Sequence, residues 1–283
     1  MKIQLASSYG FCFGVKRAID IAEEHRGSVT YGPLIHNKDE IDRLKTGFNI
    51  GLAERIEDIE TDDAVVIRTH GIPKNELAVL KSQDHKVIDA TCPYVTTPQN
   101  IVQKMSVEGY SIVIFGDKDH PEIKGVVSYA EDPEDAFIVL EPEELKALPL
   151  KGKVAVVSQT TKKPEDFAKI VTALMETRKE IRVFNTICNA TFENQDAASE
   201  LAKDADVMIV IGGKHSSNTK QLHSICERDC KDSYLIENEK ELEADWFEGK
   251  ELCGISAGAS TPDWIVQNVI EKIQEMKKVD EVI

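Results

Sequence analysis

Several things are missing from this 283-residue chain, and each absence closes off a class of protein. No apolar run approaches the roughly 18 residues that a membrane-spanning helix requires. The opening apolar stretch "MKIQLA" is broken by "SSYG" before a secretory core could form, so no signal peptide is expected. A lipoprotein reading of Cys12 fails for the same reason. Cysteine is sparse, with six residues at 12, 92, 188, 226, 230 and 253. That spacing is not a disulfide framework, and it predicts reduced thiols in a cytoplasmic protein. Basic residues are outnumbered, 34 Lys and Arg against 50 Asp and Glu, for a net charge of −16. Such a chain is a poor sequence-independent binder of nucleic acid, although a local pocket can still take a small anion. There is no Walker motif and no dinucleotide fingerprint, so a nucleotide is not implied. Low-complexity segments and long Gly/Ser linkers are absent too.

What is present is an alternation of short apolar strands and amphipathic helices. Strand candidates are "KIQL", "SVTY", "AVVIRT", "KVIDA", "SIVIFG", "AFIVL", "KVAVVSQ", "IRVFN", "DVMIVIGG", "SYLI" and "ELCGIS". Helix candidates are "VKRAIDIAEEH", "TPQNIVQKMSVEG", "KPEDFAKIVTALMETRKE", "NATFENQDAASELAKD" and "PDWIVQNVIEKIQEMKK", with apolar residues at three- and four-residue steps. The alternation predicts an α/β fold with mostly parallel sheets. Length alone suggests about two domains.

A weak internal repeat refines this reading. "QLASSYGFCFGVKRAI", "VIDATCPYVTTPQNI" and "VFNTICNATFENQDA" each run from an apolar strand through a cysteine-bearing turn into a helix. The cysteines are Cys12, Cys92 and Cys188. Each segment continues with two strands that end in polar tips. The first tips lie near His36, His120 and Ser217, and the second near His70, Thr160 and Ser260. The third segment lacks a closing strand of its own, and "KIQL" can supply it. The expected architecture is therefore three similar α/β units, 12–91, 92–187 and 188–283. Residues 1–11 complete the third unit, and the units close into a pseudo-threefold ring. Ligands of open α/β sheets bind beyond the carboxyl ends of the strands, which would bring three cysteines and six tips towards one centre.

Three thiolates at one centre suit a metal. A zinc ion with three protein ligands and an open position is one option. An iron–sulfur cluster held by three cysteines, with one iron left open for Lewis-acid chemistry, is the other. A lone cysteine is more often a small buried hydrophobe, but three at matching places in a repeat are not readily explained that way. His223, Cys226 and Cys230 in "HSICERDC" have helical spacing and could form a zinc half-site, although helix packing explains them better. Cys253 lies within a strand and reads as core.

His36, His70 and His120 follow strands, and histidine donates hydrogen bonds to anions. Ser216, Ser217 and Asn218 in "KHSSN" and Ser260 in "GAST" precede or open helices, where they serve as caps, as anion ligands, or as both. Glu122 in "DHPE" is either a first-turn carboxylate on a helix dipole or, in a shielded pocket, a proton donor. Thr160 in "SQTT" either caps or orients a hydroxyl or that carboxylate.

Taken in order, "GFCFGVKRAI", "THG", "DATCP", "HPE", "SQTT", "SSNT" and "SAGAST" resemble the 4-hydroxy-3-methylbut-2-enyl diphosphate reductase family, from Cys12 to the last helix. The resemblance implies a three-unit ring around a [4Fe–4S] cluster held by Cys12, Cys92 and Cys188. It implies a diphosphate bound by His36, His70, His120, Ser216, Ser217, Asn218 and Ser260. Glu122 would relay protons, with His120 beside it and Thr160 close to the substrate hydroxyl. The implied reaction is reductive dehydroxylation to isopentenyl and dimethylallyl diphosphates, with electrons from ferredoxin or flavodoxin. The implied setting is the cytoplasm, with no nucleic acid or membrane partner and no fused extra domain. A non-enzymatic iron–sulfur carrier or redox sensor is the competing class, and a zinc-dependent hydrolase of a phosphorylated substrate is a second. The histidine and Ser/Asn set favours an enzyme over the carrier, and metal analysis separates the hydrolase, which zinc without sulfide would support.

Overall fold

The computed structural model describes residues 1–35, 37–60, 64–276 and 281–282, with the side chains at 191, 217, 281 and 282 left aside. The chain begins with β1 (Lys2–Leu5). The first segment then runs α1 (Phe13–Glu24), β2 (Val29–Tyr31), α2 (Lys38–Phe48), β3 (Gly51–Ala53), β4 (Ala64–Ile67), α3 (Lys74–Ser82) and β5 (Lys86–Asp89). The second repeats that order as α4 (Pro93–Val107), β6 (Ser111–Phe115), α5 (Pro121–Val127), β7 (Ala136–Val139), β8 (Lys153–Ser158), α6 (Pro164–Met175) and β9 (Glu180–Val183). The third runs α7 (Asn189–Asp204), β10 (Val207–Ile211), α8 (Ser217–Asp229), β11 (Ser233–Ile236), β12 (Leu252–Ala257), α9 (Asp263–Met276) and β13 (Glu281–Val282).

All three sheets are parallel and share one strand order: β3-β2-β4-β5, β7-β6-β8-β9 and β11-β10-β12-β1-β13. In the third sheet β1 occupies the place that β5 and β9 hold in the others. It pairs with β12 in the register Lys2↔Leu252 to Leu5↔Ile255. The third segment also has a short C-terminal strand, contrary to expectation. This β13 pairs only with the outer side of β1, as Lys2↔Glu281 and Ile3↔Val282. The central strands "AVVI", "SIVIF" and "VMIVI" are buried at every residue, as parallel strands covered on both faces must be.

The chain forms two compact units. One comprises residues 17–34 and 47–188 and holds the first two sheets; the other comprises 1–16, 35–46 and 189–283 and holds the third. In the first unit, α4 and α5 pack on the second sheet through Val102, Met105, Ile123 and Val126 against Ile112, Ile114, Ala155 and Val157. In the second unit, α9 covers one face of the sheet through Ile265, Val266, Val269 and Ile273, while α7 and α8 cover the other with Ala198, Leu201, Leu222 and Cys226.

The structure adds α2, α3, α5 and α8, together with β3 and β13, to the elements expected from periodicity. The reason is local. In α2, "KDEIDRLKTGF", Leu44 is the one buried apolar residue, beside a buried Glu40. α5 has seven residues, too few to display a helical period. Among the described residues, no helix is long and apolar enough to cross a membrane.

Candidate active site

Each of the three repeated cysteines stands at the same place in its sheet. Cys92 follows β5, Cys188 follows β9 and Cys12 follows β1, and a helix begins at the next residue in every case. Each cysteine amide donates to a carbonyl two residues past the end of the neighbouring strand. Cys92 donates to Thr69 at 3.0 Å, Cys188 to Thr160 at 2.8 Å and Cys12 to Ala259 at 3.2 Å. The strand ladder thus continues past the sheet and ends on the cysteine. This register makes Thr69, Thr160 and Ala259 the equivalent positions. The sequence repeat had instead aligned His70, Thr160 and Ser260, one residue out of step in the first and third segments.

The donor set divides cleanly in two. Cys12, Cys92 and Cys188 are partly exposed, whereas Cys226, Cys230 and Cys253 are buried. Burial pushes the Cys226 and Cys253 thiols up to about 12 and also raises Cys230, which keeps all three protonated. Cys226 lies in the apolar face of α8, and His223 places Nε2 3.0 Å from the Ser233 carbonyl. The "HSICERDC" stretch is therefore helix packing, not a zinc half-site. Among the described residues, no three His, Cys, Asp or Glu side chains gather as the shell of a single ion. Each of the three partly exposed thiols ends the equivalent strand of its own sheet, and cysteine thiolates are the ligands that iron–sulfur clusters take.

The second sheet carries the acid. Phe115 ends β6, and His120 then caps α5, with Pro121 preset for the first helical turn. The Nδ1 of His120 accepts from the Glu122 amide at 3.2 Å. This assigns the proton of the neutral ring to Nε2, which becomes a donor. Glu122 is 1% exposed. Thr160, just past β8, donates its amide to Oε1 at 2.8 Å and its hydroxyl to Oε2 at 2.7 Å. Burial raises the Glu122 pKa, and the two Thr160 bonds oppose that shift by favouring the carboxylate. The net effect is that the carboxyl holds its proton more tightly than an exposed glutamate does.

His70 lies past β4 and meets His120 edge to face, with ring centroids 5.5 Å apart. Its turn is closed by Arg68, whose Nε donates to the Gly71 carbonyl at 3.2 Å. Gly71 has φ +70°, and a Cβ there would lie 2.9 Å from Gln99 Nε2 and 3.2 Å from Thr91 Cγ2. Only glycine closes this turn without strain.

In the third sheet Ser216 caps α8 and accepts from the Thr219 amide at 3.3 Å. Asn218 follows in the first turn, with a buried Oδ1 that has no hydrogen-bond partner. Ser260 lies in the turn from β12 to α9. Ser217 opens α8, but its side chain is outside the description, and His36 lies outside the described residues. The structure thus brings together His70 with His120, His120 with Glu122, and Glu122 with Thr160.

Two polar anchors have no signature in the sequence. Asn194 on α7 accepts from Ser8 Oγ at 2.6 Å and donates to the Gly10 carbonyl at 3.3 Å, fixing the turn before Cys12. The buried Glu40 accepts from Arg43 at 2.8 and 2.6 Å and from Trp264 Nε1 at 2.7 Å, tying α2 to the start of α9. Asn194 falls within the repeated stretch "VFNTICNATFENQDA" and Glu40 in no quoted motif, but neither stands out from the helical patterning around it.

Comparison with known proteins agrees with this layout. The family model described as LytB protein matches residues 3–274. The 4-hydroxy-3-methylbut-2-enyl diphosphate reductase of a Sulfurovum species is 78% identical over 98% of this chain and 100% of its own length. The enzyme of the same name from a Nitratiruptor species is 67% identical with the same coverage. Among solved structures, (E)-4-hydroxy-3-methyl-but-2-enyl diphosphate reductase, described as the terminal enzyme of the non-mevalonate pathway, superposes with a TM-score of 0.78. It is 42% identical over 97% of this chain and 100% of that one. The E-1-hydroxy-2-methyl-but-2-enyl-4-diphosphate reductase of Plasmodium falciparum gives a TM-score of 0.83 at 27% identity, covering 95% and 87% of the two chains. The chain therefore belongs to the LytB family and is an oxidoreductase.

Proposed function

We propose that the protein catalyses the reductive dehydroxylation of (E)-4-hydroxy-3-methylbut-2-enyl diphosphate to isopentenyl and dimethylallyl diphosphates. Its resident cofactor would be a [4Fe–4S] cluster on Cys12, Cys92 and Cys188. The observation that carries this reading is the threefold recurrence of a partly exposed cysteine after the corresponding strand of each sheet, with its amide on the same neighbouring-strand carbonyl. The names and high identity of the relatives supply the substrate.

When bound, the cluster would supply electrons singly and an iron with an open coordination position. In the net reaction the C4–O bond breaks, a C–H bond forms and the hydroxyl leaves as water, consuming two electrons and two protons. The electrons come from a reduced partner such as ferredoxin or flavodoxin. Glu122 is the proton source, because its buried carboxyl holds a proton more tightly than an exposed one. Thr160 aims that carboxyl through its amide and its hydroxyl. The two products differ in which end of the three-carbon unit takes the new C–H bond.

The diphosphate is taken by donors at the strand ends: His36, His70 and His120, the hydroxyls of Ser216, Ser217 and Ser260, and the Asn218 amide. His120 thereby contacts the anion while its Nδ1 fixes the backbone of the acid. The work is cytoplasmic, with neither nucleic acid nor membrane involved. A simple iron–sulfur carrier or sensor has no use for a buried acid with a dedicated hydroxyl partner.

The test is an anaerobic assay on cluster-reconstituted protein, following oxidation of reduced methyl viologen with and without the diphosphate. Substrate-dependent oxidation that yields the two C5 diphosphates is the expected result. Intact iron and sulfide without oxidation would overturn the reaction, and bound zinc without sulfide would overturn the cofactor.

A further inference from the structure

Arg17 lies one turn into α1, and its guanidinium reaches the turn between β5 and α4. Nη1 donates to the Thr91 carbonyl at 3.2 Å, and Nη2 to the Asp89 carbonyl at a longer 3.4 Å. The backbone amides of that turn and the Cys92 carbonyl are already committed. The Ala90 amide donates to the Ile67 carbonyl at 3.2 Å, the Thr91 amide to Asp89 Oδ1 at 2.9 Å and the Cys92 amide to the Thr69 carbonyl at 3.0 Å. The Cys92 carbonyl accepts from Val95 and Thr96 at 2.8 and 3.0 Å. Backbone bonds and an Asp89 side-chain turn thus fix the donors, while the two acceptors facing α1 are held by one side chain.

The choice of side chain is informative. Two carbonyls in one turn need two N–H groups diverging from a single rigid plane. A guanidinium has that geometry, whereas an ammonium is a hydrated point charge on a flexible stem. The turn before Cys188 uses the same side-chain device, with the Ile187 amide on Asn185 Oδ1 at 3.2 Å. The side-chain turn is thus shared by both segments, and Arg17 is the element added at Cys92.

We infer that Arg17 is a positioning residue for Cys92: by clamping the Asp89–Cys92 turn it fixes the direction of that thiolate towards the cofactor. This rests on the reading of Cys92 as a cluster ligand. Groups that orient a ligand from outside the coordination shell commonly change metal affinity by about 10–100-fold.

The experiment compares parent, R17A, R17K and C92S proteins after anaerobic reconstitution. Its readouts are the rate of iron loss to a ferrous chelator, the EPR signal of the reduced cluster and the thermal midpoint of the apo protein. Expected for both Arg17 variants is iron loss about tenfold faster than in the parent, with an altered EPR line shape. R17K keeps the charge and the stem, so its apo midpoint should match the parent. Iron loss and line shape in R17K equal to those of the parent would overturn the inference. So would a drop in apo midpoint common to R17A and R17K with no change in the cluster signal. C92S separates the two levels of argument. If C92S holds a full, normal cluster, the ligand reading itself fails. If C92S loses the cluster while R17K behaves as the parent, only the role of Arg17 fails.

Discussion

Thr160 donates both its amide and its hydroxyl to the carboxylate of Glu122, at 2.8 and 2.7 Å, and accepts the Cys188 amide on its own carbonyl at 2.8 Å. One residue therefore links the candidate acid to a candidate metal ligand. Its two donated bonds favour the charged carboxylate, while burial favours the neutral acid more strongly. Removing the hydroxyl in T160A takes away a bond that lowers the Glu122 pKa, so that pKa should climb further. If protonated Glu122 is the active form, the alkaline fall in kcat moves to higher pH in T160A and returns towards the parent in T160S. An alkaline limb that stays in place across both variants would show that another group sets it.

Glu122→Gln keeps the shape of the side chain and removes the proton. Turnover should fall by about 10²–10⁴-fold, the usual worth of a positioned acid, while KM for the diphosphate and iron content hold. The same variant has a stability signature. A folded-state pKa raised above its ordinary value of 4.5 means that the native chain binds more protons than the unfolded one. The contribution is fully present below that ordinary value and is lost as pH rises through the folded pKa. Urea unfolding of the apo protein should therefore weaken less with rising pH in E122Q than in the parent. Parallel stability curves would place Glu122 in solvent-like surroundings and remove the basis for its role.

Much of this arrangement was legible in the sequence, for identifiable reasons. The fully buried strands "SIVIF" and "VMIVI" announce themselves because a parallel strand covered on both faces is apolar throughout. The cysteine turns repeat visibly, because each must end a strand and start a helix. What remained hidden was specified by three-dimensional neighbours. β3 is three residues long and is defined by pairing with β2. The one-residue offset among Thr69, Thr160 and Ala259 is set by ladder bonds that no spacing reveals. Arg17 sits inside a quoted motif, yet its partners Asp89 and Thr91 are more than seventy positions away. The Glu122–Thr160 pair was proposed from sequence as one alternative to helix capping, and the structure supplies the hydrogen bonds.

The six cysteines should separate by chemistry in a single experiment. At about pH 8, a thiol with a pKa near 12 is ionised in about one molecule in 10⁴, and Cys226 and Cys253 are in addition fully enclosed, both at 0% exposure. In the folded apo protein, iodoacetamide followed by peptide mass spectrometry should modify Cys12, Cys92 and Cys188. It should leave Cys226 and Cys253 untouched until denaturant is added, with Cys230, whose pKa is also raised, far slower than the first three. After anaerobic reconstitution with iron and sulfide, protection should appear at Cys12, Cys92 and Cys188 together and to the same extent as iron is bound. That correlation is the decisive part, since folding alone can shield one thiol but has no reason to shield three from different sheets in proportion to iron. Protection of only one or two of the three at full iron loading would break the ligand assignment. Labelling of Cys226 or Cys253 in the folded chain would contradict the apolar packing that encloses them.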